Sequence, residues 1–280
     1  MPNASRGTSD KAIGMFDSGF GGLTVARALI DLLPSQDLVY FGDTGRYPYG
    51  PRDLDEVRGF AHQITRMLVD EHDVGLVVVA CNTASAAALE ELQANCDVPV
   101  IGVIQPGARA LVEATRSGRV GVIGTVGTVG SGAYQRAVAA ASEQAGRDDV
   151  VLTCSACPGF VEFVERGETD SDQVHVLAER LLAPVREAGV DTLLLGCTHY
   201  PFLARTIGDV MGRDVVLVSS ADETAFEVRS TVLAADRLAA EGQTGQGRHR
   251  WVSSGDVAHF AMLGRRLLGP ELGAAEAWTW

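Results

Sequence analysis

Apolar positions along the chain gather in short runs separated by longer amphipathic stretches. Ala12–Phe16, Asp37–Phe41, Val74–Ala80, Val98–Val103, Arg119–Ile123, Val150–Cys154, Asp191–Leu195 and Val215–Val218 are the short runs. None alternates cleanly between apolar and polar residues, which is the pattern of parallel strands covered on both faces. Between them, Leu54–His72, Ala84–Asn95, Ala133–Ala145 and Ser171–Ala188 repeat apolar positions at helical spacing. Strands alternating with helices in this way predict an α/β protein built on parallel sheets.

The pattern also echoes itself. Ile13-Gly14-Met15-Phe16-Asp17-Ser18-Gly19 is answered by Val120-Gly121-Val122-Ile123-Gly124-Thr125-Val126. Val74–Thr83, ending in Ala80-Cys81-Asn82-Thr83, is answered by Val190–His199, ending in Gly196-Cys197-Thr198-His199. Two echoes in the same order predict two similar, pseudo-symmetric parallel-sheet domains. Ligands bind such sheets at the carboxyl ends of the strands, so the active site is expected in the cleft between the domains.

Composition narrows the function classes. With 280 residues, 46% hydrophobic and 21% charged, the chain is an ordinary globular one with ample core. Its formal net charge of −13 disfavours direct nucleic-acid or anionic-membrane binding. The most apolar run, Val74–Ala80, is far short of the ~20 residues that span a bilayer. The first eleven residues are polar, read as a flexible tail, and lack the apolar centre of a signal peptide. Five scattered cysteines, at 81, 96, 154, 157 and 197, suit free thiols in a reducing cytoplasm.

Three segments are candidates for chemistry. Asp17-Ser18-Gly19-Phe20-Gly21-Gly22 follows a strand and opens a helix, where backbone amides favour a carboxylate or phosphate. The third glycine falls out of dinucleotide spacing. A tight structural turn is the plain alternative, but a carboxylate at the strand tip is a poor structural choice. Arg46-Tyr47-Pro48-Tyr49-Gly50-Pro51 is an ordered turn able to present backbone amides over a cleft. Cys81 and Cys197 each end an apolar strand, beside Asn82 and Thr83 or Thr198 and His199. A thiolate does acid–base or nucleophilic work, and helix amides or a cationic His199 would favour that form. Two rival cysteine readings exist. Cys154-Ser155-Ala156-Cys157 has redox spacing, and Cys81, Cys197 and His199 include zinc-ligand types without a second ligand pair.

Asp17–Gly22, Pro48-Tyr49-Gly50, Ala80–Ser85, Cys157-Pro158-Gly159-Phe160-Val161-Glu162 and Gly196-Cys197-Thr198-His199-Tyr200-Pro201 together closely resemble the glutamate racemases, cofactor-independent enzymes of the aspartate/glutamate racemase superfamily. Ser254-Gly255-Asp256 is similar too, while Gly45 and Glu162 depart from the usual pattern. The resemblance implies a first domain from 12–102 plus 213–268, a second from 103–212, and tails at 1–11 and 269–280. It implies interconversion of L- and D-glutamate by two thiols, without metal or other cofactor. Cys81 would be the base toward D-glutamate, helped by Asp17. Cys197 would be the base toward L-glutamate, helped by His199, with Glu165 a second carboxylate. Asp17, Ser18, Pro48, Tyr49, Gly50, Asn82, Thr83, Thr198 and His199 would hold the substrate, with Thr125 at its α-carboxylate. The family also implies a homodimer supplying D-glutamate for peptidoglycan in a bacterial cytoplasm. Contact with DNA gyrase is an expectation carried by analogy alone.

Overall fold

The computed structural model describes residues 11–234 and 246–280. The expected tail at 1–11 therefore lies, but for Lys11, outside the described residues. Two parallel sheets organise the rest. The first contains β1 (Ile13–Asp17), β2 (Leu38–Gly42), β3 (Leu76–Val79), β4 (Val100–Gly102), β9 (His249–Ser253) and β10 (Ala275–Ala277). Its order is β10-β9-β2-β1-β3-β4. The second contains β5 (Arg119–Gly124), β6 (Val151–Ala156), β7 (Thr192–Gly196) and β8 (Val216–Ser219), in the order β6-β5-β7-β8.

These orders carry the echo in the sequence into space. The first sheet contains the run 2-1-3-4 and the second repeats it as 6-5-7-8, so β1 answers β5 and β3 answers β7. Both sheets are covered on both faces, which explains the missing alternation. In the first, Met15, Leu76 and Val78 pack toward α1 (Leu23–Leu32), α10 (Ser220–Ala234) and α11 (Val257–Leu268). Phe16, Val77 and Val79 pack toward α2 (Leu54–Asp70) and α3 (Asn82–Asn95). In the second, Val120, Val122 and Leu194 meet α4 (Ile104–Ala114) and α6 (Ala133–Gln144). Ile123, Leu193 and Leu195 meet α7 (Phe160–Arg166), α8 (Asp172–Glu187) and α9 (Ala204–Met211). The short α5 (Val126–Gly130) follows β5 at the domain junction.

Two boundaries differ from expectation. β8 (Val216–Ser219), expected in the first domain, pairs with β7 and so belongs to the second sheet. The chain returns to the first domain only through α10, which packs on α1 and α4 together. The 269–280 segment is not a free tail, because β10 pairs parallel to β9. Neither β9 nor β10 has a strong strand signature. His249, Arg250 and Glu276 interrupt their apolar runs, and a two-point ion pair from Arg250 to Glu276 (3.1 and 2.6 Å) ties them together. Tertiary pairing here outweighs intrinsic β preference.

Candidate active site

The carboxyl ends of both sheets meet at one cleft of about 660 Å³, counting its open mouth. Asp17 ends β1 and Ser18 follows it, Cys81 follows β3, Thr125 follows β5, Cys157 follows β6 and Cys197 follows β7, and all line it. Pro48, Tyr49, Gly50, Asn82, Thr83, Thr198 and His199 complete the residues expected from sequence. Glu165 does not line the cleft; it stands behind His199, with Oε1 3.2 Å from Nε2.

Cys81 caps the amino end of α3, its sulfur accepting the Ala84 N–H at 3.5 Å. Burial, reinforced by the charge of Asp17, pushes its thiol far above the ordinary range, while the Ala84 and Ser18 amides pull weakly the other way. Asp17 is itself raised by burial, against the opposing effects of the His199 charge and the Gly19, Gly22 and Ser18 amides. Its Oδ2 accepts the Gly19 N–H at 3.0 Å, while Oδ1 is buried without a hydrogen-bond partner. The buried Asn82 Oδ1 also lacks one, although Asn82 Nδ2 donates to Tyr134 Oη at 2.7 Å. Two orphaned acceptors at a cleft are a costly arrangement unless a donor ligand fills it.

The Cys197 side is built differently. Its sulfur lies 4.0 Å from His199 Nδ1, and Glu165 takes the other ring nitrogen. Burial alone would lower the imidazole. Hydrogen bonds to Cys197 and Glu165, with the charges of Cys197 and Asp17, outweigh it and carry the group up to about 10. His199 is therefore an imidazolium at neutral pH, with both nitrogens donating.

Hydroxyl and backbone contacts hold the two halves together. Gly21 admits no side chain, because a Cβ there would sit 2.4 Å from both His199 Nδ1 and Thr198 Oγ1. Thr83 of the first domain meets Thr125 at 3.0 Å and Thr128 at 3.2 Å in the second, and those two are 2.9 Å apart. Gly127 N donates across the junction to Gly50 O at 3.0 Å.

The structure refines several side chains. The Tyr49 hydroxyl is turned away to Asp43, so this residue offers the cleft little beyond its ring edge and backbone. Ser254 and Asp256 lie outside the cleft: Ser254 donates to Asp43 at 2.6 Å, and Asp256 caps α11. Cys154 and Cys157 are free thiols packed on opposite faces of the second sheet, so their spacing brings no redox pair together. Burial pushes them up to about 11 and about 12. Among the described residues no three His, Cys, Asp or Glu side chains converge as a metal site would need. Tyr47, Pro51, Val126, Val161, Glu162 and Tyr200 also line the wall, although none of them was among the expected site residues. Cys157 through Gly159 was legible in principle, because it directly follows the carboxyl end of β6.

Residues 23–227 match the model of the Asp/Glu/hydantoin racemases. The chain belongs to that family. It is 53% identical to a glutamate racemase of Parafrankia sp. (strain EAN1pec) over 266 residues, covering 95% of this chain and 94% of the relative. A glutamate racemase structure from Bacillus anthracis superposes with TM-score 0.88 at 39% identity, covering 97% and 98% of the two chains. One from Francisella tularensis, in complex with D-glutamate, gives 0.85 at 29% identity, with 96% of each chain covered. Membership of this racemase family makes the chain an isomerase. No helix among the described residues is long and apolar enough to cross a membrane.

Proposed function

We propose that this racemase interconverts L- and D-glutamate with Cys81 and Cys197 as paired acid and base, supplying D-glutamate to peptidoglycan. The observation that carries the proposal is one cysteine from each sheet in a single cleft. A racemase without a carbanion-stabilising cofactor needs a base and an acid on opposite faces of one carbon. Two equivalent strand ends in facing domains supply that relation.

In the L-to-D direction, the Cys197 thiolate, facing the His199 imidazolium, takes the α-proton. The Cα–H bond breaks, its electron pair moves into the α-carboxylate as an enediolate, and an S–H bond forms. The Cys81 thiol then gives its proton to the other face, leaving Cys81 as thiolate. The reverse direction exchanges the roles. Asp17 Oδ1 and Asn82 Oδ1, unpartnered and buried, suit the ammonium group. Thr83, Thr125 and Thr198 offer hydroxyls to carboxylates, and such preorganised donors stabilise the developing enediolate charge. Action as a homodimer in the bacterial cytoplasm belongs to the same proposal.

The test is circular dichroism of L-glutamate incubated with the purified, chelator-treated protein in the absence of pyridoxal phosphate. Decay of the signal to zero is expected. Activity that needed either addition, or that acted on aspartate and left glutamate untouched, would replace this assignment.

A further inference from the structure

Outside the cleft, one cluster of side chains has no place in the mechanism above. The Arg46 guanidinium is sandwiched between two rings, with its carbon 4.2 Å from the Phe60 centroid and 4.0 Å from that of Trp280. Trp280 lies beyond β10, on the 269–280 segment that the sequence left as a tail. Its ring stands edge-on to the fully buried Phe41 at 5.4 Å and to Trp278 at 6.1 Å. Arg46 Nη2 is buried without a hydrogen-bond partner, so the two aromatic faces are its main cover. Stacked guanidinium of this kind is held by cation–π attraction, strongest over an indole.

Arg46 is also the outer end of a polar chain that reaches the cleft. Its Nε donates to Asp43 Oδ2 at 2.7 Å and its Nη1 to Gln63 at 2.6 Å. Asp43 is wholly buried and accepts, besides Arg46, the hydroxyls of Tyr49 and Ser254. Tyr49 packs on Phe60, the same ring that covers Arg46. Tyr49 and Gly50 form the cleft wall, and Gly50 O receives the Gly127 amide from the second domain.

We infer that Trp280 is a positioning residue for substrate binding: through its stack on Arg46 and the Arg46–Asp43–Tyr49 chain, it holds the Pro48–Pro51 loop in its binding geometry. Two features support this over simple edge packing. Trp280 is 42% exposed, so it covers little apolar surface for a residue of its size. Besides Phe41 and Trp278, it covers a charged group whose bond to Asp43 leads to the loop through Tyr49. The Asp43 amide donates to the Asp17 carbonyl at 3.0 Å, but among the described residues no side-chain hydrogen bond joins the cluster to Cys81, Cys197, His199 or the Asp17 carboxylate, so loosening the outer stack weakens substrate grip while leaving proton transfer in place. A loss of binding shared by ground and transition states raises KM and spares kcat.

The inference rests on the proposed glutamate racemisation for its kinetic readout, and amide hydrogen exchange supplies one that does not need turnover. For Trp280→Ala we expect KM to rise about three- to tenfold for both enantiomers with kcat changed less than about twofold. Amides in residues 44–52 should exchange faster than in the parent, and those of β1 and β3 should not. Trp280→Phe keeps a ring over Arg46 and should restore both readouts. In an Arg46→Lys background, Trp280→Ala should add little, because the planar partner is already gone. Faster exchange in a protein that turns over no glutamate would uphold the loop restraint and overturn only the assigned reaction. Unchanged exchange at 44–52, a fall in kcat at constant KM, or equal losses from Ala and Phe would overturn the inference.

Discussion

Cys81 and Cys197 end equivalent strands of equivalent sheets, yet they stand in opposite electrostatic surroundings. Cys81 is fully enclosed, faces a carboxylate and finds only two backbone amides in its favour, so it rests as a thiol. Cys197 faces His199, an imidazolium held on its far side by Glu165. A duplicated fold therefore supplies the geometry of opposed groups, and the residues added at each strand end break the symmetry between them. The difference bears on the proposed reaction, in which a proton leaves one face of the carbon and another arrives at the opposite face.

The strongest test asks whether both members of the pair are needed. Cys81→Ala and Cys197→Ala should each lower kcat/KM by about a thousandfold or more, in both directions, as loss of a general acid or base does. Cys154→Ala, on the far face of the second sheet, should stay within about twofold of the parent. An active Cys81→Ala variant would end the two-thiol comparison.

Gly21→Ala tests the contact that joins the two surroundings. Its new methyl group meets His199 and Thr198 at 2.4 Å, so one of them must move. A shift of this size near the reacting atoms costs about a hundredfold in rate. Near-parental kinetics, measured with a retained melting temperature, would show that His199 tolerates displacement.

A finer test assigns helpers to thiols. Enantiomers have equal free energy, so kcat/KM is the same in both directions for every active variant and cannot reveal which face is impaired. Isotope effects can. Asp17→Asn should slow transfer at Cys81. The α-deuterium effect on kcat/KM should then grow for D-glutamate and shrink for L-glutamate. His199→Asn should reverse the pattern. Parallel changes with both substrates would mean that these residues serve binding rather than a particular sulfur.

The smallest effect is on stability. His199 rises from 6.5 to about 10 on folding. A group raised in this way stabilises the fold fully below its unfolded value and loses that contribution as pH climbs through its folded one. The melting temperature of the parent should therefore fall relative to His199→Asn between pH 6.5 and 10.5. Cys154 and Cys157, raised by burial, also weaken the fold at high pH, but they are common to both proteins and cancel in the difference. A constant gap between the two curves would remove the imidazolium from the comparison.

Much of this site was legible in the chain because it is assembled from strand ends, and strand ends are marked by the change from apolar runs to Asp17, Cys81, Thr125 and Cys197. The echoed segments even anticipated the shared strand order. What escaped depends on contacts between distant residues. β8 reads as a strand from sequence, but its choice of sheet is made by pairing with β7. β10 is three residues long, with one charged residue among two alanines, and exists because β9 and the Arg250–Glu276 pair hold it. Glu165 was expected in the chemistry, but its place behind His199 depends on how α7 docks. Tyr49 was expected to face substrate, and a buried Asp43 claims its hydroxyl.

The three threonine hydroxyls at the domain junction bear on how the cleft handles a charged guest. Thr83, Thr125 and Thr128 form a closed triangle with contacts of 3.0, 3.2 and 2.9 Å. Three hydroxyls carry three protons, one for each edge, so the ring's donors are all used within it. A carboxylate that accepts a hydrogen bond from any of them removes the donor from one edge, and two of the three edges span the domains. Gripping the ligand and latching the halves thus draw on the same three protons. Where the lost edge is one of the two that reach Thr83, binding at Thr125 loosens the junction.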